Sequence, residues 1–381
     1  MHVRIAVLAL AAAAVAACEP NGAVTGPRVG AALQSRQVAA LSASVGATPG
    51  AVYTLTNQVS GNAVAVFARG ADGGLTAAGT VTTGGIGTGA SLGSQGAVAL
   101  SGDGRWLFAV NAGSNDVSVF NVSPRGLTLA SRTASGGTLP ISLTVHGGVL
   151  YVLNAGGTGN ISGFAVGPDG GLTPIAGATL ALSGPAVGPA EVQFSPDGGR
   201  LVVTEKNTNL LDVYTVDANG VAAGPATVAS AGGTPFGFAF GLRDELFVSE
   251  AAGSASSYVL GSGSTLALES GAVSTHQGAP CWAVVTGDGR FGYTGNGAGS
   301  VSAFGIAPDG EISLVDANGG TALIGAGIND IALSHNSRYL YVLQTAGAQA
   351  IRAFRVESDG HLTALGTVAG LPGGTRGLAA Y

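Results

Sequence analysis

Two glutamates, Glu191 and Glu205, carry the residue types best suited to chemistry in this chain. Two carboxylates sharing one poorly solvated concavity would raise one pKa, which suits a general base or acid. Arg376 would receive an oxyanion or a substrate carboxylate; the alternative is a Glu–Arg ion pair that neutralises a cavity lining. Asn111, Asn154, Glu250, Trp282, Asn296 and Asp330 add amide, carboxyl and aromatic groups for binding a ligand. Trp282 offers a face for a sugar ring or, alternatively, a packing surface. The same oxygens would suit a hard cation such as Ca²⁺, although no spacing selects it, and no other cofactor is expected. His276 precedes Cys281 by five residues, which leaves a thiolate pair open beside a buried, apolar Cys281. His146, His335 and His361 fall in turn positions and read as solvated.

These groups must be held by a chain of unusual composition. Gly supplies 66 of the 381 residues and charged residues only 9%. Each Gly costs a helix interior about 1 kcal/mol relative to Ala, which argues against long soluble helices. Absence of a three-residue Gly period excludes collagen, and 46% hydrophobic content disfavours disorder. The net charge is −6 and Lys206 is the single lysine, so no basic patch invites nucleic acid. Two cysteines make no disulfide framework or zinc ribbon.

Residues 1–17 read as a signal peptide, with Arg4 before an apolar run from Ile5 to Ala17 that is shorter than the ~20 residues of a bilayer span. The run ends in Val15-Ala16-Ala17-Cys18, which resembles a bacterial lipobox, so Cys18 is the expected lipidation site. A lipid there would tie the protein to the periplasmic or outer-membrane surface, and simple secretion is the alternative. Residues 18–50 form a Gly/Ala/Ser/Thr-rich tether; residues 51–381 form the folded domain.

Internal repetition is the strongest signal. The stretch from Ala97 through Ser101-Gly102-Asp103-Gly104-Arg105 to Asn111 returns as Val192 through Ser195-Pro196-Asp197-Gly198-Gly199-Arg200 to Glu205. Further copies run from Ala283 to Asn296 and from Ile331 to Gln344, with degenerate ones from Ile141 to Asn154 and Phe236 to Glu250. Each pairs an apolar strand, an Asp-Gly turn and a second strand, followed by an alternating strand such as Val117-Ser118-Val119-Phe120 and a fourth opening on Leu-Thr. The polar residues closing the second strands (Asn57, Asn111, Asn154, Glu205, Glu250, Asn296, Gln344) are spaced 43 to 54 residues apart, as propeller blades require. Seven repeats of four strands predict an all-β, seven-bladed β-propeller. The first repeat lacks its first strand and the C-terminal Arg376–Tyr381 is a spare one, so the tail is expected to close the first blade. First-strand starts (Gln95, Ser142, Glu191, Trp282, Asp330, Arg376) and second-strand ends would then share one mouth of the channel.

The cadence Ser-Pro-Asp-Gly-x-Arg-x-Leu, a Val-x-Asn strand end and an Asp-Gly-x-Leu-Thr turn resembles the lactonase family of seven-bladed propellers, which includes the 6-phosphogluconolactonase-like proteins. The resemblance spans Ala51 to Tyr381. It implies ring opening of a lactone by His, Glu and Arg side chains at a channel mouth. The family's Gly-Pro-Arg-His segment reads here Gly188-Pro189-Ala190-Glu191, and its Ser-Asn-Arg reads Gly295-Asn296-Gly297, both without basic residues. Its Asn-Glu is Thr204-Glu205, with the Glu kept.

Two functions are therefore open. The first is an extracytoplasmic lactonase, a hydrolase acting on a lactone or sugar-like small molecule through Glu205 or Glu191. The second is a non-catalytic propeller offering its face to a protein, glycan or small ligand at the cell envelope. A monomer is expected in both. The Gly89-Ala90-Ser91-Leu92-Gly93 match to a nucleophile elbow lacks its strand–turn–helix context and reads as chance.

Overall fold

The computed structural model describes residues 50–381. The expected signal peptide, the Cys18 lipidation site and all of the tether before Gly50 lie outside the described residues.

Seven antiparallel sheets of at least four strands follow one another around an axis, as the repeats predict. The strands that line the axis, from blade 2 to blade 7, are Val98–Leu100, Pro140–His146, Pro189–Phe194, Pro235–Phe240, Pro280–Val285 and Ile328–Leu333. Blade 1 takes its inner strand from the C-terminus: Arg376–Ala380 pairs with Ala51–Leu55, placing Val52 opposite Ala380 and Thr54 opposite Leu378. The Thr54 hydroxyl donates to Gly377 O at 2.6 Å and Arg69 Nε to Tyr381 O at 3.0 Å, which fastens the seam. Closure removes two open sheet edges, one on each side of the ring.

The repeated motif is a turn device. Ser195 Oγ donates to Asp197 Oδ1 at 2.6 Å and accepts from Arg200 N at 3.0 Å, while Asp197 Oδ1 also accepts from Gly199 N. Gly198 adopts φ +73°, the left-handed region that this hairpin needs. Those donors, the Ser195 hydroxyl first, hold the Asp197 carboxyl below its ordinary range. The cadence that resembles the lactonases is thus, in this chain, the chemistry of a tight turn.

Blades pack face to face through buried Val, Leu, Phe and Tyr side chains. Burial of one such side chain contributes about 1.5–3 kcal/mol. Tyrosines clasp three of the blades to a turn of the next: Tyr151 Oη donates to Gly220 O, Tyr293 Oη to Gly360 O and Tyr341 Oη to Gly73 O, all within 3.0 Å.

Candidate functional site

Along a strand, neighbouring side chains face opposite sides of the sheet. In blade 4 Glu191 lies opposite Thr204 across the strand pair, so Glu205, the next residue, belongs to the other face. Hydrogen bonds bear this out. Glu191 Oε2 accepts from Phe238 N of blade 5 at 2.7 Å, whereas Glu205 accepts from the Ser183 amide and hydroxyl on the blade 3 side and from Thr208 Oγ1. The two glutamates therefore do not share a site, contrary to the sequence expectation.

The other second-strand ends behave like Glu205. Asn111 donates to Asp116 and Ser118, Asn154 to Ser135 O and Ser162, and Asn296 to Ser300 and Ser302. Glu250 accepts from Ser230, Gly232 N, Ser254 and Ser256. Each is fully buried, the asparagines donating to nearby oxygens and Glu250 accepting from hydroxyl and amide donors, and none lines the axial cavity. These polar residues satisfy the loops that join one blade to the next, where unpaired backbone groups would cost ~1–3 kcal/mol each. Among the described residues, no group of three or more His, Cys, Asp or Glu could hold a metal ion.

Arg376 stands two residues ahead of the position that Asp330 and Glu191 hold, in the place of Pro189 and Ile328. It pairs opposite Leu55, while Leu378 pairs opposite Thr54 across an irregularity. It is buried, donates from Nη1 to Thr375 O at 2.6 Å, and is not part of the axial cavity wall. Trp282 is buried edge-on against Phe236, with its indole N–H given to Ser94 O at 3.1 Å, so it packs rather than presenting a face. Cys281 is fully buried, as the apolar reading expects, and not exposed as a reactive thiolate would be. His276, His146, His335 and His361 are exposed.

The residues that do face one cavity are Glu191, Asp330 and Gln95. A cavity of about 410 Å³ runs along the axis, lined by all seven inner strands. The inner strands expose an unpaired edge to this axis, and polar side chains at one repeat position cap it. Ser142 Oγ accepts from Val192 N, Glu191 from Phe238 N, and Asp330 from Ile331 N at 2.8 Å and from Leu378 N. Blades 4 and 7 sit on opposite walls, so the two carboxyls border the cavity from either side, close enough for Asp330's charge to act on Glu191.

Both carboxyls are almost fully buried. Burial pushes Glu191 well above the ordinary carboxylate range against the opposing Phe238 N–H, and Asp330's charge raises it further. Burial likewise raises Asp330 well above the ordinary carboxylate range, against the pull of two backbone N–H donors. With two donors to Glu191's one, Asp330 is the better stabilised anion and Glu191 the better proton holder. Asp330 Oδ2 is buried without a hydrogen-bond partner among the described residues.

The mouth expected to admit ligand is crossed by the connection from blade 1 to blade 2. Leu92–Gln95 has no regular structure yet is buried. Ser94 Oγ donates to Ile141 O, Gln95 N to Ala190 O, and Lys206 Nζ to Gly93 O at 2.5 Å. The Gln95 amide then spans the channel to blade 6, giving Nε2–H to Ala283 O at 2.7 Å and accepting from Ala283 N at 2.8 Å. Gly237 is required beneath it, because a Cβ there would collide with Gln95 Oε1 and the backbone of Cys281 and Ala283. The cavity extends from this strap to Leu100, Val145, Phe240, Val285 and Leu333, at the inner-strand ends. It therefore opens on the opposite face, where the Asp-Gly hairpins turn. Sequence reasoning placed Gln95 at the mouth but gave the Gly-rich run before it no role, because that run has no periodicity; its only signal was a connection longer than the others.

The family model described as "Lactonase, 7-bladed beta-propeller" matches residues 51–187, which span the first three blades. Among solved structures, a candidate 6-phosphogluconolactonase from Bacteroides fragilis is similar at 19% identity and TM-score 0.69, covering 87% of this chain and 98% of that one. A Lactobacillus plantarum protein reaches TM-score 0.70 at 17% identity, over 87% and 99%. The periplasmic gluconolactonase of Pseudomonas aeruginosa reaches 0.66 at 19%, over 86% and 99%. No curated protein matches the chain. With the ring of seven sheets, the chain is a seven-bladed β-propeller, and its first three blades are similar to the lactonase family of such propellers.

Proposed function

We propose that the protein hydrolyses a lactone in the axial cavity, with Asp330 as general base and Glu191 as general acid. The observation that carries this reading is the pair of buried carboxyls on opposite walls of one cavity, closed at one end by Gln95. Asp330 takes a proton from water as its oxygen attacks the lactone carbonyl carbon. The tetrahedral adduct collapses, the ring C–O bond breaks, and Glu191 gives its proton to the departing alkoxide. The product is the open hydroxy acid, and transfer of the proton from Asp330 back to Glu191 resets the pair. Each proton transfer of this kind is worth about 10²–10⁴ in rate. The N-terminal leader and Cys18 support an extracytoplasmic, lipid-anchored setting for the reaction.

A second reading rests on Ser142, which caps the next inner strand as Glu191 does. On that reading the carboxyls are edge caps alone and the propeller binds without turnover. Glu191→Gln and Asp330→Asn separate the two, since an amide oxygen keeps the cap but removes the acid or base. Ring opening of glucono-δ-lactone and δ-decalactone is followed by pH-stat. A fall of about 10²-fold or more in kcat for both variants, with unchanged melting, supports the hydrolase. Rates equal to wild type leave the carboxyls as caps.

A further inference from the structure

Beyond ring opening itself, the wall of the cavity selects the kind of lactone. The residues lining it include two acids, Glu191 and Asp330, and the neutral polar groups Gln95, Thr144 and Gln193. Among the described residues that line it there is no lysine, arginine or histidine. Two of the polar groups are already committed to the scaffold, Thr144 Oγ1 accepting from Phe194 N and Gln193 Oε1 from Phe240 N. A phosphate or carboxylate entering this space would lose its hydration and face carboxyls without a counter-charge, which is costly in a low-dielectric channel. Arg290 and Arg338 line a separate cleft, where each stacks on an aromatic ring, Phe291 and Tyr339.

The open end is a collar of aliphatic and aromatic side chains. Leu100, Val145, Phe240, Val285 and Leu333, one from each of five blades, are all half-buried and all border the cavity. Apolar area left wet at a cavity rim gains about 25 cal/mol for each Å² that a ligand covers. The carboxyls lie at the depth of the strap, so a ring seated between them would leave its substituent in the collar. At about 410 Å³ the space falls in the ordinary range for small-molecule pockets.

We infer that the substrate is an uncharged lactone carrying an alkyl chain, entering ring-first from the hairpin face, and that phosphorylated lactones are excluded. The inference rests on the lactonase reading above. Three probes test it with purified protein: δ-decalactone, glucono-δ-lactone and 6-phosphoglucono-δ-lactone, compared by kcat/KM. The expected order places δ-decalactone at least tenfold above glucono-δ-lactone, with the phosphorylated lactone at background. Val285→Asp, which puts a charge in the collar away from the carboxyls, is expected to raise KM for δ-decalactone at least tenfold while leaving kcat within about twofold. Efficient turnover of either aldonolactone with none of δ-decalactone overturns the substrate class but keeps the hydrolase. Failure of all three overturns both. Should Val285→Asp not fold, Val285→Thr is expected to raise the same KM by a smaller factor, and an unchanged KM there counts against the collar.

Discussion

Replacing Asp212 by asparagine should change how stability depends on pH, and the size of the effect follows from the geometry beside Glu205. Glu205 Oε1 and Asp212 Oδ2 both accept from the single amide of Ser183, at 3.1 and 3.0 Å, and both residues are fully buried. The Ser183 and Thr208 hydroxyls both go to Glu205, so Asp212 has little beyond a shared N–H to stabilise its charge. Burial first, then the hydrogen bond and charge of Glu205, push Asp212 up to about 8. In the unfolded chain the same group titrates near ~3.9. Between those values the native state holds a proton that the unfolded state has released, so stability falls as pH rises through this window. It is flat below about 4 and again above about 8. The limiting slope is about 1.4 kcal/mol per pH unit for one proton. The asparagine side chain cannot ionise, so the stability difference between the Asp212→Asn variant and wild type should swing toward the variant by up to about 3 kcal/mol from pH 5 to 8. Glu191 and Asp330 titrate in both proteins and cancel from the difference. Urea unfolding at pH 5, 6, 7 and 8 measures it. Parallel pH profiles for the two proteins would refute the shared-proton pair.

Truncation after Thr375 removes the inner strand of blade 1, with Leu378 and Ala379 buried and Thr54 bonded to Gly377 O; calorimetry should show melting lowered by more than about 10 °C, since the loss exceeds several kcal/mol. Tyr151→Phe deletes the hydroxyl shared by Gly220 O and Ala222 N and should cost about 1–3 kcal/mol in urea unfolding, with the fold retained. Gln95→Ala removes both hydrogen bonds across the channel, and amide exchange at Ala283 is expected to accelerate at least tenfold while exchange in the outer strands stays unchanged. Cells fed labelled palmitate should mark the full chain but not Cys18→Ala; equal labelling would discard the lipid anchor and leave the Cys18 thiol available for a disulfide.

Blade number, the four-strand grammar and the closure by the tail were legible because each is written repeatedly: Asp-Gly turns at fixed offsets and apolar alternation force the same hairpins. The site was legible only in part. Glu191 and Asp330 share a repeat position at the axis, and the sequence placed both at first-strand starts. Glu205 followed from the same counting, yet strand alternation turns it to the other face, and a bulge between Pro189 and Glu191 shifts the register there. Arg376 holds the place of Pro189 and Ile328, and Leu378 takes the Glu191 position, because the same irregularity recurs in blade 1. The Leu92–Gln95 strap was invisible for a different reason: its hold on the channel comes from backbone carbonyls and one amide, none of which periodicity records.

The most direct measurement is a crystal structure of the protein soaked with a δ-lactam, the unreactive amide counterpart of a δ-lactone. Density is predicted in the axial cavity, with the lactam carbonyl between Asp330 and Glu191 and any alkyl substituent toward Leu100 and Phe240. A lactam bound instead beside Glu205, or at the strap-covered mouth with the axial cavity empty, would contradict catalysis by the axial carboxyls.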